Sequence, residues 1–374
     1  MSSTRTDVGT IEDLHASATR LTGLDDFGDD DYREGMGELL AAYRNEAALT
    51  PTGSKVSRAF LRAALVSRLL SEAAWRQFPE HAEAPVTRPV FVTGLPRTGT
   101  TALHRLLTAD PAHQGLELWL TEVPQPRPPR ATWESNPGYV SLQAGYEQYH
   151  ETNPGLRGAH YTAADQVEEC WRLLRQSMMS VSFECLAYLP SYSRWLSAQD
   201  WTAAYRRHRR NLQLIGLHDR DRRWVLKNPS HLFALDALLA VYPDAVVIQT
   251  HRAPREVVAS VCSLNAQACE GWSELFRGEV LGGAQAQLWS RGLRRFMADR
   301  ARHDPAHFID VSHDDVVADP LRVVEVIYER LGARLTTAAR AAMSSLHQQR
   351  TRPAHRYDLA DFGLTPAVVD ATFA

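Results

Sequence analysis

Three short segments carry residue types that bind or move anionic groups. The first runs Pro89-Val-Phe-Val-Thr-Gly94-Leu-Pro-Arg97-Thr98-Gly99-Thr100-Thr101 and leads into an amphipathic stretch, Ala102–Thr108. An apolar strand, a glycine-flanked loop and a helix, in that order, surround a phosphate with successive backbone N–H groups and a helix N-terminus. Gly94-x-x-x-x-Gly99-Thr100-Thr101 copies the spacing of a Walker A loop. Thr100 stands where such a loop carries lysine, and the basic residue has moved into the loop as Arg97. That shift points to a terminal group, or a use of metal, different from that of ATP hydrolysis. Without a ligand the same residues would make only a tight strand-to-helix turn.

The second segment is Asp244-Ala-Val-Val-Ile-Gln-Thr-His251-Arg252-Ala-Pro254-Arg255-Glu-Val-Val-Ala-Ser260. A buried-type strand there runs into a helix with proline in its first turn. Arg252 falls at the carboxyl end of the strand and Ser260 about two helical turns along, so a guanidinium and a hydroxyl can share one anion. An arginine with a serine eight residues later says little alone. Paired with the first loop it says more, because a ligand with phosphates at both ends needs two such sites.

The third segment, Arg223-Trp-Val-Leu-Lys227-Asn228-Pro229-Ser230-His231, again brings polar residues to the end of a strand. Lys227 is a candidate to hold a transferring anionic group. His231 is a candidate to take a proton from a hydroxyl, since an ordinary imidazole titrates at about 6.5. Equally, Asn228-Pro229-Ser230 would start a helix and leave His231 facing solvent. Glu117, in Gln114-Gly-Leu-Glu-Leu-Trp-Leu120, is a lone acid among apolar residues. A strand there would put it on a solvated edge, or in a crevice as a base with a raised pKa. Both questions stay open at the level of the residues.

The elements that must position these side chains follow from periodicity. Pro89–Thr93, Arg223–Leu226, Ala245–Thr250 and His307–Val311 are the strand candidates, separated by helical stretches, and that alternation implies parallel pairing. The fold class is therefore α/β, a P-loop-like doubly wound parallel sheet with N-terminal helices and a helical, aromatic-rich insertion. Residues 1–87 read as a helical segment packed on the core: Tyr32, Met36, Leu39, Leu40 and Tyr43 recur at helical spacing, and Thr50-Pro51-Thr52-Gly53 interrupts before Val56, Phe60, Ala64 and Leu69 resume. Residues 88–374 read as the α/β domain, the two forming one structural unit. The insertion covers about 125–215, after a stiff connection at Pro124-Gln-Pro-Arg-Pro-Pro129. Between Trp133 and Tyr205 twelve of seventy-three residues are aromatic, against 9% over the chain. Most of these rings are expected in the core, and a minority would line an apolar acceptor pocket beside the crevice of the sheet.

The 374 residues carry 41 basic and 44 acidic side chains, a net charge of −3, which gives no global field for nucleic acid. At 44% hydrophobic and 23% charged the composition excludes disordered, collagenous and coiled-coil classes. Cys170, Cys185, Cys262 and Cys269 show no paired metal or redox spacing and fit a reducing cytoplasm. The first twenty residues lack the pattern of a secretory leader. The most apolar stretch, Ser177 to Tyr192, is interrupted by Glu184 and Pro190, so no membrane-spanning helix is expected, while peripheral membrane contact stays open.

Taken together, the three segments resemble the sulfotransferases that use 3′-phosphoadenosine-5′-phosphosulfate (PAPS), in a bacterial branch that includes mycobacterial enzymes. Gly94-Leu-Pro-Arg97-Thr98-Gly99-Thr100-Thr101 resembles the family's 5′-phosphosulfate loop, and Arg252 through Ser260 its 3′-phosphate motif. Trp-Val-Leu-Lys-Asn-Pro-Ser-His and Tyr357-Asp-Leu-Ala-Asp-Phe-Gly363-Leu are similar to that branch as well. The resemblance implies that Arg97, Thr98, Gly99, Thr100 and Thr101 bind the 5′-phosphosulfate and that Arg252 and Ser260 bind the 3′-phosphate. It offers two bases. Cytosolic relatives place a histidine shortly after a lysine, which points to His231 although the spacing from Lys227 is four rather than two; other relatives use a glutamate about twenty residues beyond the loop, which lands on Glu117. The Arg-Lys-Gly signature of cytosolic members is not evident near Arg352, His355 or Arg356.

The expected activity is sulfuryl transfer from PAPS, without a metal, to a hydroxyl, or less readily an amine, of a small-molecule, glycan or lipid acceptor. Arg97 and Lys227 would stabilise the charge of the transition state. Two other readings compete. A P-loop kinase using Mg-ATP would need a magnesium-binding acid, for which Phe308-Ile309-Asp310 supplies the candidate, and a loop lysine that is absent. A non-catalytic scaffold would keep the aromatic segment as a small-molecule or partner-binding surface beside a vestigial nucleotide site.

Overall fold

A computed structural model describes residues 5–152, 162–348 and 357–374. Its centre is a five-stranded parallel sheet of β1 (Val90–Gly94), β2 (His113–Gln114), β3 (Arg223–Lys227), β4 (Val246–His251) and β5 (Phe308–Ser312), in the order β2-β3-β1-β4-β5. The four expected strands are present, each displaced by about one residue. Their apolar residues split by parity, as the two-residue period of a strand demands. Val90, Val92, Val225, Val246, Ile248, Ile309 and Val311 face one core. Phe91, Trp224, Leu226, Val247 and Phe308 face the other. Both faces are covered, which explains why the central strands read as unbroken apolar runs.

The first core is closed by α4 (Thr100–Thr108) and by the helices Pro320–Arg330 and Thr337–Gln348, through Leu103, Leu106, Val324, Ile327 and Met343. The second core includes the N-terminal helices α1 (Ile11–Thr22), α2 (Arg33–Asn45) and α3 (Pro51–Gln77), and runs without a break from Val8 to Val369. Thr50-Pro51-Thr52-Gly53, read from sequence as an interruption, is the start of α3. Thr50 is its N-cap, accepting from the Gly53 N–H at 3.1 Å, and Pro51 fills the first turn. The helix begins hard against the loop at Trp272: a Cβ on Gly53 would stand 1.9 Å from the Trp272 carbonyl oxygen, so no larger residue fits.

The insertion is helical as expected, with helices at Pro137–Thr152, Trp171–Arg175, Pro190–Ser197 and Thr202–Ile215. Most of its rings are buried, among them Trp133, Tyr139, Phe183, Tyr192, Trp201 and Tyr205. The strand expected around Glu117 is shorter than anticipated. β2 ends at Gln114, and Glu117 sits one step before the helix Leu118–Glu122, held by an isolated antiparallel bridge to Val167. Among the described residues no helix is long and apolar enough to cross a membrane. Arg352, His355 and Arg356 lie outside the described residues.

Candidate functional site

Because β1, β3 and β4 run parallel and in register, their carboxyl ends deliver Gly94, Lys227 and His251 to one edge of the sheet. That edge is where open α/β sheets bind ligands. The chain leaves β1 through two glycines with different duties. Gly94 has φ +143°, and a Cβ on it would lie 2.4 Å from the Thr250 hydroxyl on β4. Gly99 has φ +87° and is the N-cap of α4, but a Cβ there would find only ordinary contacts at 3.5 Å with His313 and Val316. Backbone conformation, rather than space, selects glycine at that position.

Between them Arg97 is itself in the left-handed region, at φ +66°, a conformation costing a non-glycine residue about 1–2 kcal/mol. Two contacts hold it there. Its Nε donates to Ser260 Oγ at 3.1 Å, and its carbonyl accepts from Arg252 Nη1 at 3.0 Å. The first loop and the second anion motif are thus one structure, with Arg97, Arg252 and Ser260 in direct contact. Arg252 is also held by Glu256, through Nε at 2.8 Å. No side chain caps α4, which leaves the N–H groups of its first turn facing the loop.

The threonines divide in function. The Thr98 side chain is fully buried, 2.6 Å from both the Leu95 carbonyl and the Thr250 hydroxyl, so it braces the loop and offers a ligand only its backbone. Thr100 is buried at the helix start, while Thr101 accepts from Lys227 Nζ at 3.1 Å. Lys227, only 2% exposed, makes a second bond to Glu169 Oε1 at 2.5 Å. Glu169 reaches this place because residues 166–168 bridge the chain at 116–118, and because the Cys170 N–H donates to the Lys227 carbonyl at 3.1 Å. It is a carboxylate at the loop that no sequence spacing had indicated.

Neither base candidate read from the sequence touches this group. Glu117 Oε2 is bound by Arg127 Nε at 3.0 Å, and Arg127 also holds Asp219, Gln114 and the Gly115 carbonyl. Glu117 is thus part of an ion-pair hub that ties the proline-rich connection to the sheet. His231 is wholly buried rather than facing solvent. The short 3-10 turn Pro229–Phe233 points its ring inward, edge-on to Phe91 at 5.1 Å, with Nδ1 2.7 Å from the Tyr205 hydroxyl. Burial pushes its pKa well below the ordinary imidazole value. Asp310, the acid a kinase would require, has both oxygens on Arg300 at 2.7 Å and one on His251 at 2.6 Å.

A cradle of loop N–H groups fused to a second arginine–serine site, with a buried lysine beside it, agrees with the match of residues 89–337 to the family model described as the sulfotransferase family. The chain belongs to the sulfotransferase family. It is 59% identical to the sulfotransferase STF1 of Mycobacterium tuberculosis H37Rv, with a TM-score of 0.94 covering 99% of this chain and 100% of that one. The sulfotransferase STF9 of Mycobacterium avium superposes with a TM-score of 0.88 at 28% identity, covering 97% of this chain and 95% of that one. Omega-hydroxy-beta-dihydromenaquinone-9 sulfotransferase Stf3 of Mycobacterium bovis is 26% identical over 255 residues, which span 65% of this chain and 62% of that relative's length. The P-loop kinase reading gives way to this membership.

Proposed function

We propose that this sulfotransferase-family chain moves the sulfuryl group of PAPS to a hydroxyl of an organic acceptor. The observation that carries the reading is the contact of Arg97 with both Ser260 and Arg252, which makes one ligand with anionic groups at its 5′ and 3′ ends the natural occupant. The residues fit such a donor: an uncapped helix N-terminus and Arg97 for the 5′-phosphosulfate, Arg252 and Ser260 for the 3′-phosphate.

In the proposed reaction the Glu169 carboxylate takes the proton of the acceptor hydroxyl while its oxygen bonds to sulfur. The bond from sulfur to the 5′-phosphate oxygen breaks, and the electron pair leaves on adenosine 3′,5′-bisphosphate. Lys227, placed between Thr101 and Glu169, offsets the charge growing on the bridging and sulfuryl oxygens. Glu117 and His231 are assigned to holding the fold. A hydroxyl-bearing lipid or other small molecule is the proposed acceptor, in keeping with the lipid-like quinone in the name of the Stf3 relative. We place the protein in the cytoplasm and read residues 1–87 and 88–374 as one structural unit.

Thermal-shift titration tests the donor. A ligand binding only the folded state at a hundred times its Kd stabilises by about 2.7 kcal/mol, so adenosine 3′,5′-bisphosphate should raise Tm where ATP and Mg-ATP at equal concentration do not. A larger shift with Mg-ATP would overturn the donor assignment.

A further inference from the structure

Six residues beyond Glu169, Arg175 ends the helix Trp171–Arg175. Its side chain is buried, yet no carboxylate stands within ion-pair distance of it among the described residues. Nε donates to Ser182 Oγ at 2.8 Å, its one side-chain hydrogen bond among the described residues. Among the described residues Nη1 and Nη2 have no hydrogen-bond acceptor. Three rings frame the guanidinium, Trp171 at 3.7 Å, Phe60 at 4.9 Å and Phe183 at 5.0 Å, an arrangement that steadies a cation without neutralising it.

The neighbouring charges do not supply the missing counter-ion. Arg172 on the same helix takes Glu122 and the Tyr146 hydroxyl for itself. Burial and then Arg172 pull the Arg175 pKa down to about 9, with Tyr43, Glu122 and Cys185 acting in the opposite sense. The group is still a cation at neutral pH. Glu169 directly precedes Cys170, the N-cap of the helix that Arg175 ends, so the two groups flank one five-residue helix of the insertion. A buried guanidinium with four unused N–H donors is costly unless something else satisfies it.

We propose that Arg175, with Trp171, Phe60 and Phe183, forms an anion-recognition end of the acceptor site, so that the acceptor carries a negative group, a carboxylate or its like, remote from the hydroxyl that Glu169 deprotonates. This rests on the transfer reaction proposed above. Hydroxy acids are then preferred over neutral alcohols of the same shape, because two terminal N–H groups match the two oxygens of a carboxylate.

The test is calorimetric binding of ω-hydroxyalkanoates of graded length, each beside its primary amide, with adenosine 3′,5′-bisphosphate saturating so that the donor site is filled. At the length that fits, the acid should bind about 10–100-fold more tightly than the amide, the range of a charge-assisted hydrogen-bond pair. Arg175→Met should bring the acid down to the level of the amide and leave bisphosphate affinity unchanged. Arg175→Lys, which keeps the charge without the planar fork, should retain part of the preference and covers the case in which the methionine variant does not fold. No preference for acids at any length in the wild type, or a preference that persists in Arg175→Met or is undiminished in Arg175→Lys, would overturn the proposal. Failure of the bisphosphate itself to bind would count against the donor reading instead, and the comparison of acid with amide would then be made on the free protein.

Discussion

Lys227 Nζ lies 2.5 Å from Glu169 Oε1 and 3.1 Å from Thr101 Oγ1, so a single buried ammonium joins the loop at Thr101 to a carboxylate that lies fifty-eight residues before Lys227 in sequence. With Lys227 only 2% exposed and Glu169 partly buried, the pair is screened by salt less than a surface ion pair. It places the Glu169 carboxylate beside the loop at Thr101.

Glu169→Gln should therefore lower single-turnover transfer by about 10²–10⁴-fold, the usual contribution of a general base, with little change in donor affinity. Glu117→Gln should behave differently. Its loss weakens the hub at Arg127, which retains Asp219, so stability should fall by about 1–3 kcal/mol in urea denaturation while the folded variant turns over near the wild-type rate. A Glu117→Gln protein that is stable but inactive would return the base to that residue.

The positions of the two candidate bases show where sequence reading stops. β1, β3 and β4 were legible because a strand buried on both faces is largely apolar, β5 because Phe308, Ile309 and Val311 are apolar around an exposed Asp310, and Gly94, Arg97 and Gly99 because their chemistry is local to one turn. Glu169 was not: Gln166-Val-Glu168-Glu169-Cys170 has no periodicity that distinguishes one acid from the next, and its contact with Lys227 depends on a bridge between 117 and 167. His231 departs from the lysine-to-histidine spacing of cytosolic relatives, standing four residues after Lys227 rather than two, and the tight turn that begins at Pro229 aims its ring at Phe91 and Tyr205.

The two loop glycines should respond unequally to alanine. At Gly99 the added methyl finds room, so Gly99→Ala pays only for its positive φ, about 1–2 kcal/mol. At Gly94 the same methyl meets the Thr250 hydroxyl at 2.4 Å and its carbonyl oxygen at 2.6 Å, and β4 must move. Gly94→Ala should lose clearly more stability in urea than Gly99→Ala, and equal losses would contradict the close approach of the two strands.

Buried histidines make the fold sensitive to acid. Burial pushes His104 and His208 down to about 3 and His231 well below its ordinary value, so each stays neutral in the folded protein while its unfolded counterpart protonates at about 6.5. Their stabilising contribution is complete above that pH and is lost as pH falls through the window from about 6.5 toward the folded values, at roughly 1.4 kcal/mol per pH unit for each group. Urea denaturation at a series of pH values below 6.5 should show this slope, and His208→Gln should make it shallower. A wild-type stability flat between about pH 6.5 and 5 would contradict the burial of these rings.

The most direct measurement concerns Arg252, which holds the Arg97 carbonyl at 3.0 Å and is assigned to the 3′ end of the donor. Isothermal titration of the wild type and of Arg252→Ala with adenosine 3′,5′-bisphosphate and with adenosine 5′-monophosphate separates the two anion sites. The bisphosphate should lose about 1.5–3 kcal/mol on substitution, the worth of hydrogen bonds to a charged group, while the monophosphate, which feels only the released Arg97 carbonyl, loses clearly less. Equal losses for the two nucleotides, or no loss for the bisphosphate, would contradict a donor site built from the loop at Arg97 and the motif at Arg252 and Ser260.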